Sequence, residues 1–272
     1  MHSPVVLSIA GSDPSGGAGI QADLRVFARH ELVGTTVITA LTAQNPKTVA
    51  GVVGTPSEFV RLQLDTLAAT HPIHAIKVGM LWSVECIITV TDWLMTHSDI
   101  PVVVDPVMVS TSGSDLLNED AIEIYRSRLL PRAQLATPNL DEAAILLGNT
   151  TIHPHQQREC AHALMNRFGC PFLLKGGHLP GDPVDVFVTT DSTQVYTHPR
   201  VTNINTHGSG CILSAAICCQ LACGQSLATA VTKGLNFVHD ALVKNISPFS
   251  NENFAGIEYA DPNSEHLTRL SE

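Results

Sequence analysis

The chain is 272 residues long, 44% hydrophobic and 15% charged, which suits one large α/β unit with a sizeable core. Its formal net charge of −10 denies it the general positive field of a nucleic-acid binder, so an anionic ligand needs a local positive site. Seven irregularly spaced cysteines, no signal-peptide pattern at the start and no apolar run of membrane-spanning length point to a reducing cytoplasm and away from a membrane partner.

A strand is predicted over 5–10, a helix over 18–29, a strand over 36–41 and a helix over 59–69. Residues 75–78 read as a strand, 84–95 as a helix and 102–104 as a short apolar strand closed by Asp105. A helix over 121–130 leads to a strand over 135–137 and a helix over 141–147 stopped by Gly148. A helix over 156–168 stops at Gly169, and strands follow over 172–174, 184–188 and 194–197. Helices over 211–222 and 227–243 complete the order. Apolar strands alternating with helices predict a mostly parallel sheet covered on both faces. No linker, charge run or repeat divides 1–272, and the polar stretch after about 247 is expected to be loosely ordered. Cys218, Cys219 and Cys223 lie close together, but without paired Cys-x-x-Cys spacing; their alanine and leucine neighbours make a buried helix the expectation.

Ligands of open parallel sheets bind beyond the carboxyl ends of the strands. Gly11 to Gly19, Gln44, Gly79 and Met80, Asp105, Asn139 and Glu142, and Lys175 all fall at such ends. The strongest motif is Asn205-Thr206-His207-Gly208-Ser209-Gly210-Cys211, running into a helix. Small residues there let a ligand approach backbone N–H groups at a positive helix end, an anion hole in outline. A tight turn before a buried helix would look much the same. Leu213 at the third glycine position rules out a dinucleotide fingerprint, and no Gly-Lys-Ser/Thr run offers a Walker A loop. Cys211 in the first helical turn is expected to have a lowered thiol pKa and to accept a proton from an alcohol.

The loop from Gly11 to Gly19 reads as a small-residue cover for a flat ring, with Asp23 one turn later as an acceptor. Asp105 at a strand end can hold Mg²⁺ directly or through water. Ser110-Thr111-Ser112-Gly113 has the composition of a lid. Asn139 and Glu142 read equally as a helix capping box and as site residues. Lys175, before Gly176, Gly177 and His178, can reach phosphate oxygens as a point charge.

These segments together resemble the ribokinase superfamily and, within it, the hydroxymethylpyrimidine/phosphomethylpyrimidine kinases of thiamine biosynthesis. The matching runs are IAGSDPSGGAGIQADL, VITALTAQN, KVGML, VVDPVM, TPNLDEA, LLKGGH and NTHGSGCILSAA, in order over 9–216. The resemblance implies a ribokinase-like α/β fold with helices on both faces of the sheet. It implies that Gly208, Ser209, Gly210 and Cys211 form the hole for the transferring phosphoryl group, with Cys211 as base. Gln44 would bind the aminopyrimidine edge, with Asp23, Gly11 and Ala18 framing the ring and Met80 and Val107 as apolar walls. Lys175, Asn139 and Thr206 would contact ATP, and Asp105 and Glu142 would organise Mg²⁺. Two successive phosphorylations and a homodimer are implied as well.

Departures from the pattern are Ser209 where threonine is common, a lid without lysine at Thr111, and no glycine-histidine ending, which leaves adenine contacts unassigned. A pyridoxal kinase of the same fold is the nearest alternative. The absence of a lid cysteine between Asp105 and Gly113, and the paired donor and acceptor of the Gln44 amide, favour an aminopyrimidine. A catalytically dead pyrimidine sensor is a second alternative, and the presence of Cys211, Lys175, Asp105 and Glu142 speaks against it.

Overall fold

The computed structural model describes residues 3–45, 48–108, 119–148, 151–177, 181–202, 206–244 and 260–270. Strand β1 (Val5–Ser12) is buried along nearly its whole length, as a strand covered on both faces must be. It lies inside the sheet, pairing in parallel with β2 (Val33–Asn45) and β4 (Ile73–Val78). Beyond β4 the parallel order continues through β5 (Val102–Val104), β6 (Leu135–Ala136) and β7 (Phe172–Leu174). β8 (Val184–Val188), β9 (Thr193–Thr197) and β10 (Thr268–Leu270) extend that edge in antiparallel fashion, and β3 (Thr48–Gly54) closes the other edge against β2. Among the described residues the sheet has ten strands in the order β10-β9-β8-β7-β6-β5-β4-β1-β2-β3.

Period-two alternation along the strands divides the core into two layers. Val6 joins Val26 and Phe27 of α1 (Gly19–Arg29), together with apolar residues of α7 (Ser209–Ala222) and α8 (Leu227–Lys244). Leu7 and Ile9 point the other way. They join the buried faces of α2 (Ser57–Ala68), α3 (Val84–Met95), α4 (Glu119–Ile124), α5 (Leu140–Leu147) and α6 (Gln157–Phe168). In α7 every residue over 212–222 is buried. This is the pattern of a helix enclosed all round, and it places Cys218 and Cys219 in the core as expected, whereas Cys223, the C-cap, is exposed.

Four features differ from the sequence expectations. β2 runs on to Asn45, so Gln44 lies within a strand and not after one. β3 carries two glycines and Val53 at 69% exposure, a pattern without the alternation that marks a half-buried strand. The helix expected over 121–130 is α4, followed by a π-helical turn over Tyr125–Leu129 and a 3₁₀ turn over Leu130–Arg132; Pro131 removes a donor there. Residues 245–259 lie outside the described residues, but 260–270 is docked. Ala260 is fully buried, the His266 and Leu267 N–H groups donate to Asn236 Oδ1, and β10 pairs with β9.

Candidate active site

The carboxyl ends of the parallel strands open into a cleft of about 680 Å³. Loops after β1, β4, β5, β6 and β7 and the start of α7 supply its walls. Of the fifteen residues expected to form a site, all but Asp23 line this cleft.

One wall is the turn into α7. Gly208 is its N-cap, in the left-handed region at φ 79°. A Cβ at that position would lie 1.8 Å from the Gly17 carbonyl oxygen, so the turn rests directly on the loop after β1. The Ser209 N–H donates to the Thr206 carbonyl. The hole therefore narrows to the N–H groups that follow, at the positive end of the helix. A Cβ at Gly210 would lie 3.1 Å from Lys175 Nζ, so the first turn leaves the ammonium close to the backbone.

Lys175 is fixed at its place by the sheet. Its N–H donates to the Pro138 carbonyl, and its Nζ sits 3.1 Å from Asp105 Oδ1. Asp105 also accepts from Thr137 Oγ1 at 3.2 Å and Ser214 Oγ at 3.4 Å. Burial pushes the Asp105 carboxyl up, but Lys175 and Lys77 outweigh it and hold the group below its ordinary value. Burial likewise works against the Lys175 charge, and Asp105 and Glu142 restore it. Both sequence readings of Asn139 and Glu142 meet here. They form a reciprocal capping box on α5, and both line the cleft. Burial, together with the charge of Asp105, pushes the Glu142 carboxyl up to about 7 against the pull of Lys175. Two carboxylates crowded beside one ammonium fit a divalent cation that completes its shell with phosphate oxygens and water.

A second stretch of the cleft wall is shaped for a ring. Gly11, Ala18, Met80 and Val107 line it, and a Cβ at Gly11 would lie 2.5 Å from the Met80 methyl. Gln44 reaches the cleft from β2. The loop after β1 is organised by Asp13, which accepts from the Ser15 N–H, the Ser15 hydroxyl and the Ala18 N–H at 2.7–2.9 Å.

Two expectations need correction. Asp23 does not face the ring: it is fully buried, with Oδ2 2.5 Å from Ser8 Oγ and 2.8 Å from Lys77 Nζ. Lys77 is the residue that reaches the cleft floor, with Asp23 beneath it. Burial pushes the Asp23 carboxyl up and opposes the Lys77 charge, but at 2.8 Å each charge holds the other, and we take the pair as ionised. The second correction is Cys211. Burial pushes its thiol up to about 11, and Lys77 and the Gly19 N–H only partly offset this. The helix end that was expected to ionise it is overridden by desolvation.

Sequence reasoning gave no role of their own to Lys77, Asp13 and His207, which fall inside its motifs, and missed Asp185, Arg200 and the apolar wall of Leu235, Val238 and Leu242. Lys77 had a signal, a charge inside the apolar strand β4; the apolar wall had none beyond an ordinary amphipathic helix. The lid stretch 110–113, His178 and Asn205 lie outside the described residues.

Comparison with known proteins bears on the family and the fold. Residues 13–254 match the family described as phosphomethylpyrimidine kinase. The chain is 44% identical over 240 residues to a hydroxymethylpyrimidine/phosphomethylpyrimidine kinase of Streptomyces coelicolor, covering 88% of each. Among solved structures it resembles phosphomethylpyrimidine kinase from Clostridium difficile with a TM-score of 0.78 at 35% identity, covering 88% of this chain and 100% of that one. Pyridoxal kinase from Staphylococcus aureus, in complex with AMP-PCP and pyridoxal, gives a TM-score of 0.85 at 30% identity, covering 99% of this chain and 100% of that one.

Proposed function

The chain belongs to the phosphomethylpyrimidine kinase family, and from that premise we propose how its cleft carries out the reaction. It is a ribokinase-like hydroxymethylpyrimidine/phosphomethylpyrimidine kinase of thiamine biosynthesis, with ATP as the phosphoryl donor. It phosphorylates 4-amino-5-hydroxymethyl-2-methylpyrimidine and then its monophosphate. The observation that carries the assignment of roles is the position of the α7 turn. Its first turn brings the backbone close to Lys175 Nζ and rests on the loop after β1 beside Ala18, in the same cleft that Met80 and Val107 line.

In this reading the ring lies against the apolar wall with Gln44 at its polar edge, and the acceptor oxygen points to the α7 turn. The γ-phosphoryl group passes between them in line. Its spreading negative charge meets the backbone N–H groups of Gly210 and Cys211 and the Lys175 ammonium, with Asn139 and Thr206 at the nucleotide side. Positioned charge of this kind is the main source of rate in phosphoryl transfer. Asp105 and Glu142 would hold Mg²⁺, which would neutralise phosphate charge. Leu235, Val238 and Leu242 offer an apolar seat for the adenine. A homodimer fits the exposed apolar pair Leu41 and Val53, which face each other across β2 and β3. We place the enzyme in the cytoplasm; among the described residues no helix is long and apolar enough to cross a membrane.

Cys211 is the proposed base, and its resting state is a thiol. Its basic form therefore grows as pH rises. The rate kcat/KM is expected to climb with pH on the alkaline side of neutrality, about tenfold per unit while the thiol stays mostly protonated. Cys211→Ala should lose that slope and about 10²-fold or more in kcat, with ATP binding retained by calorimetry. A Cys211→Ala protein with wild-type turnover and slope removes Cys211 from the chemistry.

The function itself is tested by a coupled ATP-consumption assay with Mg²⁺ on hydroxymethylpyrimidine, its monophosphate and pyridoxal. Turnover of both pyrimidines with little on pyridoxal is expected. The likeness to Staphylococcus aureus pyridoxal kinase makes pyridoxal the informative competitor; a preference for it would keep the phosphoryl machinery and overturn the role of Gln44.

A further inference from the structure

Three parts of the cleft meet at one imidazole. His207 is 7% exposed and directly precedes Gly208. Its Nε2 lies 3.5 Å from Asp13 Oδ2 and 3.5 Å from the Gln44 amide at its Nε2 position. Burial pushes the Asp13 carboxyl up, but hydrogen bonds from His207, Ser15 and Ala18 outweigh burial and hold it below its ordinary value. The group facing Nε2 is therefore a carboxylate, which only accepts. A bare Nε2 would set a lone pair against this buried negative charge, whereas an Nε2–H donates to it. A nitrogen that carries its proton cannot also accept from the Gln44 NH₂ group. The two ends of an amide have nearly the same outline, so the imidazole decides which end it meets.

We propose that His207 is the positioning residue for ring specificity. Its single Nε2–H, pinned by Asp13, is shared in a three-centre bond with the Gln44 carbonyl, which turns the NH₂ group to the ring, so the protein demands an acceptor nitrogen at that edge. The carbonyl keeps a second lone pair for an exocyclic amine. This inference rests on the reading of Gln44 given above and deepens it. A site built to donate a hydrogen bond rejects an analogue that lacks the acceptor, because its own donor is left buried and unpaired.

The test compares kcat/KM for the aminopyrimidine and for its pyridine analogue, in which CH replaces the ring nitrogen beside the amino-bearing carbon. Wild type should lose about 10²-fold on the analogue. In His207→Leu the aminopyrimidine should lose most of its advantage, leaving a difference of about fivefold or less. In His207→Gln, which restores an NH₂ donor, the discrimination should return. Equal discrimination by wild type and His207→Leu, with KM raised alike for both rings, would falsify the proposal, as would a wild type indifferent to the nitrogen. Should His207→Leu not fold, nitrogen-15 NMR of the labelled wild-type imidazole decides: a protonated Nε2 is expected, and a bare one overturns the idea. Failure of the wild type to phosphorylate the aminopyrimidine at all is a different result, which removes the parent reading and this one with it.

Discussion

A Gly208→Ala protein is expected to lose about 10³-fold or more in kcat/KM. Two effects add. The backbone at Gly208 is left-handed, at φ 79°, which costs a residue with a Cβ about 1–2 kcal/mol. That cost alone is modest. The larger effect is the collision: the new methyl would sit 1.8 Å from the Gly17 carbonyl oxygen and 2.9 Å from its carbon. Neither group is the end of a flexible side chain, so the α7 turn and the ring loop must part. Displacing a reacting geometry by about 1 Å costs on the order of 10²-fold, and losing a hole donor costs about as much again. Gly169 supplies the control. It has φ 72° at the end of α6, and a Cβ there would touch nothing within 4 Å. Gly169→Ala should cost about 1 kcal/mol in urea denaturation and leave kcat/KM unchanged. Equal losses of activity in the two variants would trace the effect to backbone strain and remove the loop contact from the explanation.

Lys77→Met should destabilise the fold by about 3–5 kcal/mol, because it leaves Asp23 as a buried charge without its partner. Asp23 Oδ1 has no hydrogen-bond partner among the described residues, so only Ser8 would remain to satisfy the group. The double variant Lys77→Met/Asp23→Leu should recover most of the loss, since a buried ion pair replaced by apolar groups of similar size is often close to neutral. Urea denaturation of all four proteins closes the cycle, and a coupling of several kcal/mol is expected. Additive losses would mean that the two side chains are held apart in solution. Activity should not recover with stability. Lys77 is the largest influence that pulls the Cys211 thiol down against burial, so the double variant should remain impaired in turnover.

The amino-acid pattern revealed elements buried on both faces most clearly. β5 and β7 fall where continuous apolar runs put them, because burial on two sides demands an unbroken run. The β2–β3 extension was less visible, since Leu41 and Val53 face outward and Gly51 and Gly54 interrupt the pattern. Site residues at strand ends and in glycine turns were legible for a related reason: a buried aspartate such as Asp105 closing an apolar strand has few structural uses. Asp23 and Lys77 were not legible, since their pairing spans 54 positions and no local pattern encodes it. The ionisation of Cys211 escaped in the same way. Helix position is visible in sequence, whereas the packing that desolvates the sulfur comes from α1 and β4.

Gln44 and the phosphoryl machinery stand on very different supports. Past Leu41 the outer part of β2 pairs with β3 alone, and Gln44 sits on that overhanging ribbon. The α7 turn is anchored to a helix enclosed on every side. Mutational tolerance follows this division. Substitutions in the ribbon alter which ring is read at little cost to the core, whereas most changes along α7 damage the fold itself. Changes in the part of ring recognition that Gln44 carries are therefore open to a lineage by drift in two strands, while the chemistry of transfer is inherited unchanged.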